Sequence, residues 1–165
     1  METELEYTLT HSYKEGMISY MKTHPEEFDE LIKLAISHKP PYSWRAAWLL
    51  WSCMEKNDKR VQGNIKKIID SIKTRDDNHQ RELFKILFLM ELNGKYESIL
   101  FDICADTWEQ ISKRPAVRMN AFKIIVKIAK RHPALYKEIE TLTQNQYMDS
   151  LSPAVKKAIS KMIKE

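Results

Sequence analysis

Apolar residues recur every three to four positions along nearly the whole chain, and nowhere do apolar and polar residues alternate long enough to argue a strand. The periodicity predicts helices at about 4–22, 25–37, 42–56, 59–73, 78–91, 94–111, 114–131, 133–148 and 152–164, with connections short enough to make neighbours antiparallel. Local chemistry marks several starts. Ser152 before Pro153 is an N-cap followed by a proline in the first turn, where a missing N–H costs nothing, and Asp77 or Asn78 is placed to cap the helix it opens. The segment 44–54 stands apart: Trp44, Ala46, Ala47, Trp48, Leu49, Leu50, Trp51, Cys53 and Met54 leave it scarcely a polar side, as in a helix enclosed by others.

Aligning the helices on one basic residue brings four of them into register. The anchors are Arg45, Arg81, Arg118 and Lys156, spaced by 36, 37 and 38 residues. Relative to each anchor, apolar residues recur at −1, +3 and +6: Trp44, Trp48 and Trp51, then Phe84 and Leu87, then Val117, Ala121 and Ile124, then Val155, Ile159 and Met162. Gln80 alone breaks the row. Two units also share a Pro-Ala-Val-basic segment, Pro115 to Arg118 and Pro153 to Lys156, and a further helix lies between successive anchors. The row assigns the three tryptophans of 44–51 to the core. A single hairpin cannot bury both faces, so a core must come from stacking.

This period and these residues resemble the HEAT/armadillo-like α-solenoid family, whose repeat is two antiparallel helices, often with a proline, then Val-Arg and a small residue in the first. The resemblance covers residues 40–165, with 1–39 as a degenerate, capping repeat; the inter-helix Asp common in such repeats is not evident. It implies an all-α fold, an α-α superhelix of about four to five antiparallel hairpins in a single domain of residues 1–165. It also implies a non-enzymatic protein–protein interaction or scaffold module. The closest alternative architecture is a compact all-α bundle.

Composition narrows the chemistry. At 165 residues and 19.6 kDa, 43% hydrophobic and 30% charged, the chain suits one globular domain. Gly16, Gly63 and Gly94 are its only glycines and lie far apart, which excludes a phosphate-cradling loop of either common kind. Cys53 and Cys104 sit in apolar helical patterns as small hydrophobes. The histidines His11, His24, His38, His79 and His132 form no metal-binding pattern, and His24 and His132 each precede a proline as turn residues. No cofactor or metal is expected. The acidic opening and the lack of an apolar run near ~18 residues point to a cytoplasmic protein without a membrane span.

Charge distribution says more than the net of +4. From Gln110 to Lys137 there is no acid, and Lys123, Lys127 and Lys130 fall opposite the apolar face Ala121, Ile124, Ile125 and Ile128. The second helices of the repeats do not share one sign: 24–38 is acidic, 58–75 basic through Lys66, Lys67 and Lys73 among others, 94–110 acidic through Asp102, Asp106 and Glu109, and 132–150 acidic. A groove tracking a duplex should be basic along its length, so the mixed sign favours another protein or a peptide over nucleic acid. The candidate binding surface is therefore Lys66, Lys67, Lys73, Asp102, Asp106, Glu109, Lys123, Lys127 and Lys130. A second reading is a DNA-binding or DNA-repair protein similar in architecture to the HEAT-like glycosylases that remove alkylated bases. It draws on mild basicity, Trp-rich helices and the acids Asp102 and Asp106 near Trp108, although no segment matches that family's catalytic motif residue by residue.

Overall fold

The computed structural model describes residues 1–165, which are helical throughout with no strand. The chain divides into two compact units, Met1–Glu91 and Leu92–Glu165.

The first unit holds α1 (Glu4–His11), α2 (Lys14–Thr23), α3 (Phe28–Ile36), α4 (Tyr42–Cys53), α5 (Lys59–Gln62), α6 (Ile65–Ser71) and α7 (Asp77–Phe88). Helix α4 is its hub, packed against α1, α2, α3 and α7, while α3 also meets α5 and α6. The reason lies in side-chain size. Ala46 and Ala47 are fully buried beside Leu49 and Leu50, and small residues let neighbouring backbones come close. Trp44, Trp48 and Trp51 do not occupy the core that their register assigned to them; all three are half-buried on the flank of α4. The buried row is instead Ser43, Ala46, Ala47 and Leu50, one step around the helix.

Three helices predicted as continuous are broken, the 133–148 helix among them, which divides at Thr143 and the extended Gln144 into α10 (Tyr136–Leu142) and α11 (Asn145–Met148). The 4–22 helix stops at His11 because Ser12 and Tyr13 are extended. Before that break the chain bonds to itself. The Thr8 hydroxyl donates to the Glu4 carbonyl at 2.8 Å, and the His11 ring stacks on Tyr7 with its Nδ1 3.0 Å from the Tyr7 carbonyl oxygen. Such local bonds compete with helix continuation. The 59–73 helix divides at Gly63 and Asn64 into α5 and α6. The cap ahead of α7 is Asp76, whose Oδ1 accepts from the His79 N–H at 2.9 Å, not Asp77 or Asn78.

The second unit holds α8 (Gly94–Glu109), α9 (Pro115–Arg131), α10 (Tyr136–Leu142), α11 (Asn145–Met148) and α12 (Pro153–Lys164). Helices α8 and α9 form its main hairpin, α12 and α10 pack on α9, and α10 also meets α8. Nine residues of α9 are buried, Arg118 among them, which leaves Lys123, Lys127 and Lys130 on a narrow outward strip. Ser152 caps α12 as expected, accepting from the Val155 N–H at 3.3 Å with Pro153 at the first position.

A recurring device ties elements together in both units. The last carbonyls of a helix have no intrahelical partner, and side chains from elsewhere in the same unit supply one. Arg45 Nη1 donates to the Leu9 carbonyl at the end of α1 (3.3 Å), and Arg75 Nη2 to the Ile36 carbonyl at the end of α3 (2.8 Å). His79 Nε2 meets the Ala35 carbonyl at 2.6 Å. In the second unit Arg118 Nε donates to the Trp108 carbonyl (2.8 Å) and its Nη2 to the Tyr147 carbonyl (2.6 Å), while Trp108 Nε1 donates to the Leu142 carbonyl (2.7 Å). Every acceptor lies in the last turn of its helix. Two of the four repeat anchors, Arg45 and Arg118, thus act as brackets on helix ends.

Candidate interaction site

The second unit contains a cavity of about 590 Å³ where the start of α8, the end of α9, the Pro133–Leu135 turn and α10 meet. Helix α8 contributes Gly94, Glu97, Ser98, Phe101 and Asp102 to its wall; Ile128, His132, Ala134, Leu135 and Glu138 complete it. That volume lies in the range of ordinary ligand pockets. The cavity exists where it does because of how α8 begins. Asn93 caps the helix by accepting from the Tyr96 N–H at 2.9 Å, which fixes Glu97 in the first turn.

Glu97 is only 5% exposed. Its Oε2 accepts from Arg131 Nη1 at 2.9 Å, and its Oε1 lies 3.1 Å from His132 Nε2. These contacts clamp the C-terminal end of α9 to the N-terminal end of α8. Phe101, Ile128, Ala134 and Leu135 give the cavity an apolar lining, whereas Asp102 and Glu138 are exposed on two different helices. The arrangement therefore combines a fixed buried carboxylate, an apolar lining and two solvated carboxylates.

Of the nine residues that charge patterning nominated, only Asp102 lines this cavity. Asp106 and Glu109 are exposed further along α8; Lys123 and Lys130 are exposed on α9, with Lys127 half-buried between them. Lys66, Lys67 and Lys73 belong to the first unit, where all three are exposed and Lys66 pairs with Asp70 at 2.7 Å. Sequence reasoning missed Glu97, Arg131 and Glu138 and read His132 as a turn residue. His132 is indeed the C-cap of α9, as His24 is of α2, but it carries the contact to Glu97 as well. The available signal was the hairpin itself: an antiparallel α8–α9 pair brings position 97 near position 131.

The tryptophans fall into two groups. Trp108 is fully buried, packed against the Phe122 ring in a tilted arrangement with centroids 4.6 Å apart and covered by the Arg118 guanidinium at 4.4 Å. Enclosed in this way it is not a surface platform beside Asp102 and Asp106, the geometry that the DNA-repair reading needed. The half-buried rings of α4 each carry a cation: Arg45 on Trp44 at 5.2 Å, Lys14 on Trp48 at 5.3 Å and Lys85 on Trp51 at 4.7 Å. Glu82, 1% exposed, accepts the Trp51 indole N–H at 2.7 Å and pairs with Arg81 at 3.0 Å.

The groups with displaced acidity lie outside the cavity and are structural. The Arg60 side chain bonded to Asp58 holds that carboxyl down at about 2, in spite of its burial. Burial lowers His79 and Arg118 and raises both cysteine thiols, Cys104 far more than Cys53. No three His, Cys, Asp or Glu side chains come together to hold a metal ion, and no helix is long and apolar enough to cross a membrane.

Stacked helical hairpins, a repeated basic anchor and brackets on helix ends define an α-helical repeat protein. The sequence matches the HEAT repeat domain family over residues 1–165, and the chain belongs to that family. Comparison with curated proteins and with solved structures gave no match. HEAT repeat domains generally serve as protein-interaction scaffolds and are typically non-enzymatic.

Proposed function

We propose that this protein is a non-enzymatic interaction module that binds another protein or a peptide through the cavity of the second unit and the acidic strip beside it, Asp102, Asp106 and Glu109. The observation that carries this reading is the cavity of about 590 Å³, apolar in its lining and edged by exposed carboxylates. A patch of that make-up offers both burial of apolar area and selection by charge. The basic strip Lys123, Lys127 and Lys130 and the lysines Lys66, Lys67 and Lys73 are the places for further contacts. The family's usual role as a scaffold supports the same assignment.

The test is affinity capture from native lysate under mild cross-linking, with the intact protein compared with a charge-reversed variant, Asp102→Lys with Asp106→Lys. A stoichiometric partner held by the wild type and lost by the variant supports the proposal. Recovery of no partner in stoichiometric amount, or equal recovery by both proteins, contradicts it.

A further inference from the structure

The carboxylates around the cavity, and the absence of lysine and arginine from its lining, say what kind of side chain belongs inside. We infer that the cavity receives an arginine side chain from the partner segment; this rests on the interaction-module reading above and specifies what the partner presents. Three of the lining residues are carboxylates, Glu97, Asp102 and Glu138, against the single imidazole of His132. Arg131, which precedes His132 in the chain, is bonded to Glu97 through Nη1. An anionic group entering here would meet two exposed carboxylates, while the charge of Arg131 is balanced by its pairing with Glu97, so the sign of the cavity disfavours phosphate and acidic peptides.

The helix ends do not set the sign, since the N-terminal end of α8 and the C-terminal end of α9 both open onto the cavity and each already carries its complementary charge, Glu97 and Arg131. The lining suits the rest of an arginine side chain, because the apolar side chains of Phe101, Ile128 and Leu135 can cover its methylene stem. Asp102 and Glu138 lie on two different helices of the wall, and a forked guanidinium with several N–H groups suits carboxylates arrayed in this way better than a compact ammonium does. Glu97 is a positioning residue here. Fixed by Arg131 and His132, it holds the wall in shape before any ligand arrives.

The experiment uses a fluorescein-labelled peptide with one central arginine between leucines, and the same peptide with citrulline, which keeps the shape and removes the charge. Binding to the full chain is followed by fluorescence anisotropy. The arginine peptide should bind roughly tenfold or more tightly than the citrulline peptide, and Asp102→Asn with Glu138→Gln should erase that difference. Both substituted residues are exposed, so circular dichroism of the variant should match the wild type. Equal binding of the two peptides, no binding of either, or an arginine preference that survives the double substitution would overturn the inference. Spermidine, a free polyamine, is the competitor. Failure to displace the peptide at matched charge supports a peptide side chain, and displacement at lower concentration than the peptide itself would overturn it. The two proposals fail separately. A partner captured from lysate alongside an inert arginine peptide sinks only the arginine pocket, whereas a binding peptide with no recoverable partner sinks only the scaffold reading.

Discussion

Substituting Arg118 by alanine tests whether the repeat anchor holds the second unit together. The side chain is 1% exposed, donates to the Trp108 and Tyr147 carbonyls at 2.8 and 2.6 Å, and lies 4.4 Å from the centre of the Trp108 ring. Each hydrogen bond from a charged donor contributes about 1.5–3 kcal/mol, and the contact with the indole about 1–2 kcal/mol when desolvated. Against this stands the cost of burying the guanidinium, visible in the downward displacement of its pKa, which the substitution recovers. The alanine variant also leaves two buried carbonyls without these donors and a void beside Trp108. The net expected loss is about 3–5 kcal/mol, a large share of the 5–15 kcal/mol typical of a domain. Arg45→Ala at the equivalent repeat position removes one longer bond of 3.3 Å and a half-exposed contact with the Trp44 ring at 5.2 Å, and should cost only about 1 kcal/mol. Urea unfolding followed by far-ultraviolet circular dichroism measures both, with the slopes compared to detect loss of cooperativity. Equal, small losses in the two variants would refute the bracket argument.

Trp108→Ala should cost about 3–5 kcal/mol and Trp48→Ala only about 1–2 kcal/mol in the same melts, because the first ring is enclosed and the second half-exposed; Lys127→Ala should stay within about 0.5 kcal/mol. A thiol-specific reagent such as dithionitrobenzoate should modify Cys53 in the folded protein and Cys104 only after unfolding, as peptide mapping by mass would show, since Cys104 is fully buried with its thiol raised far more. His79 has a folded pKa below its ordinary 6.5, so its neutral form contributes stability that is full above that value and is lost as pH falls through the lower folded pKa; thermal melts of His79→Gln between pH 7 and pH 4 should show a flatter acid slope. Asp58, held at about 2 against an ordinary 3.8, contributes stability above 3.8 that fades as pH falls through 2, and Asp58→Asn should remove that dependence.

Helix positions were legible because period and capping are local properties, and Ser152, Pro153 and the short connections act within a turn of where they stand. The row of apolar residues set on the four anchors was informative about existence and not about direction. In α7 and α9 that row is buried together with its neighbours, for Leu83, Phe84, Ile86 and Leu87 are all core, as are Val117, Ala121, Phe122, Ile124 and Ile125. Agreement there says nothing about which side faces inward. In α4 the question matters, and close approach decides it: Ala46 and Ala47 go to the contacts while the larger indoles of Trp44, Trp48 and Trp51 are displaced to the flank. The cavity was hidden for a different reason. Glu97, Arg131 and His132 meet across 34 and 35 residues, and charge counted along single helices cannot register an ion pair made between two of them. Asp102, Asp106 and Glu109, which share one helix and face water, were visible to the same count.

The brackets on helix ends constrain how such a chain can change length. A residue inserted within α8 would turn everything after it by about 100° and advance it by about 1.5 Å, carrying the Trp108 carbonyl away from Arg118 and the Trp108 indole away from Leu142. The same insertion in the connection at 110–114, beyond the last bracketed carbonyl, moves neither partner. Substitutions on the outward strips leave both bonds in place. Descendants of this sequence should therefore tolerate wide exchange of surface residues and variation in the connections, while insertions and deletions are purged from α1, α3 and α8, whose final turns are held through the carbonyls of Leu9, Ala35, Ile36 and Trp108 by Arg45, His79, Arg75 and Arg118.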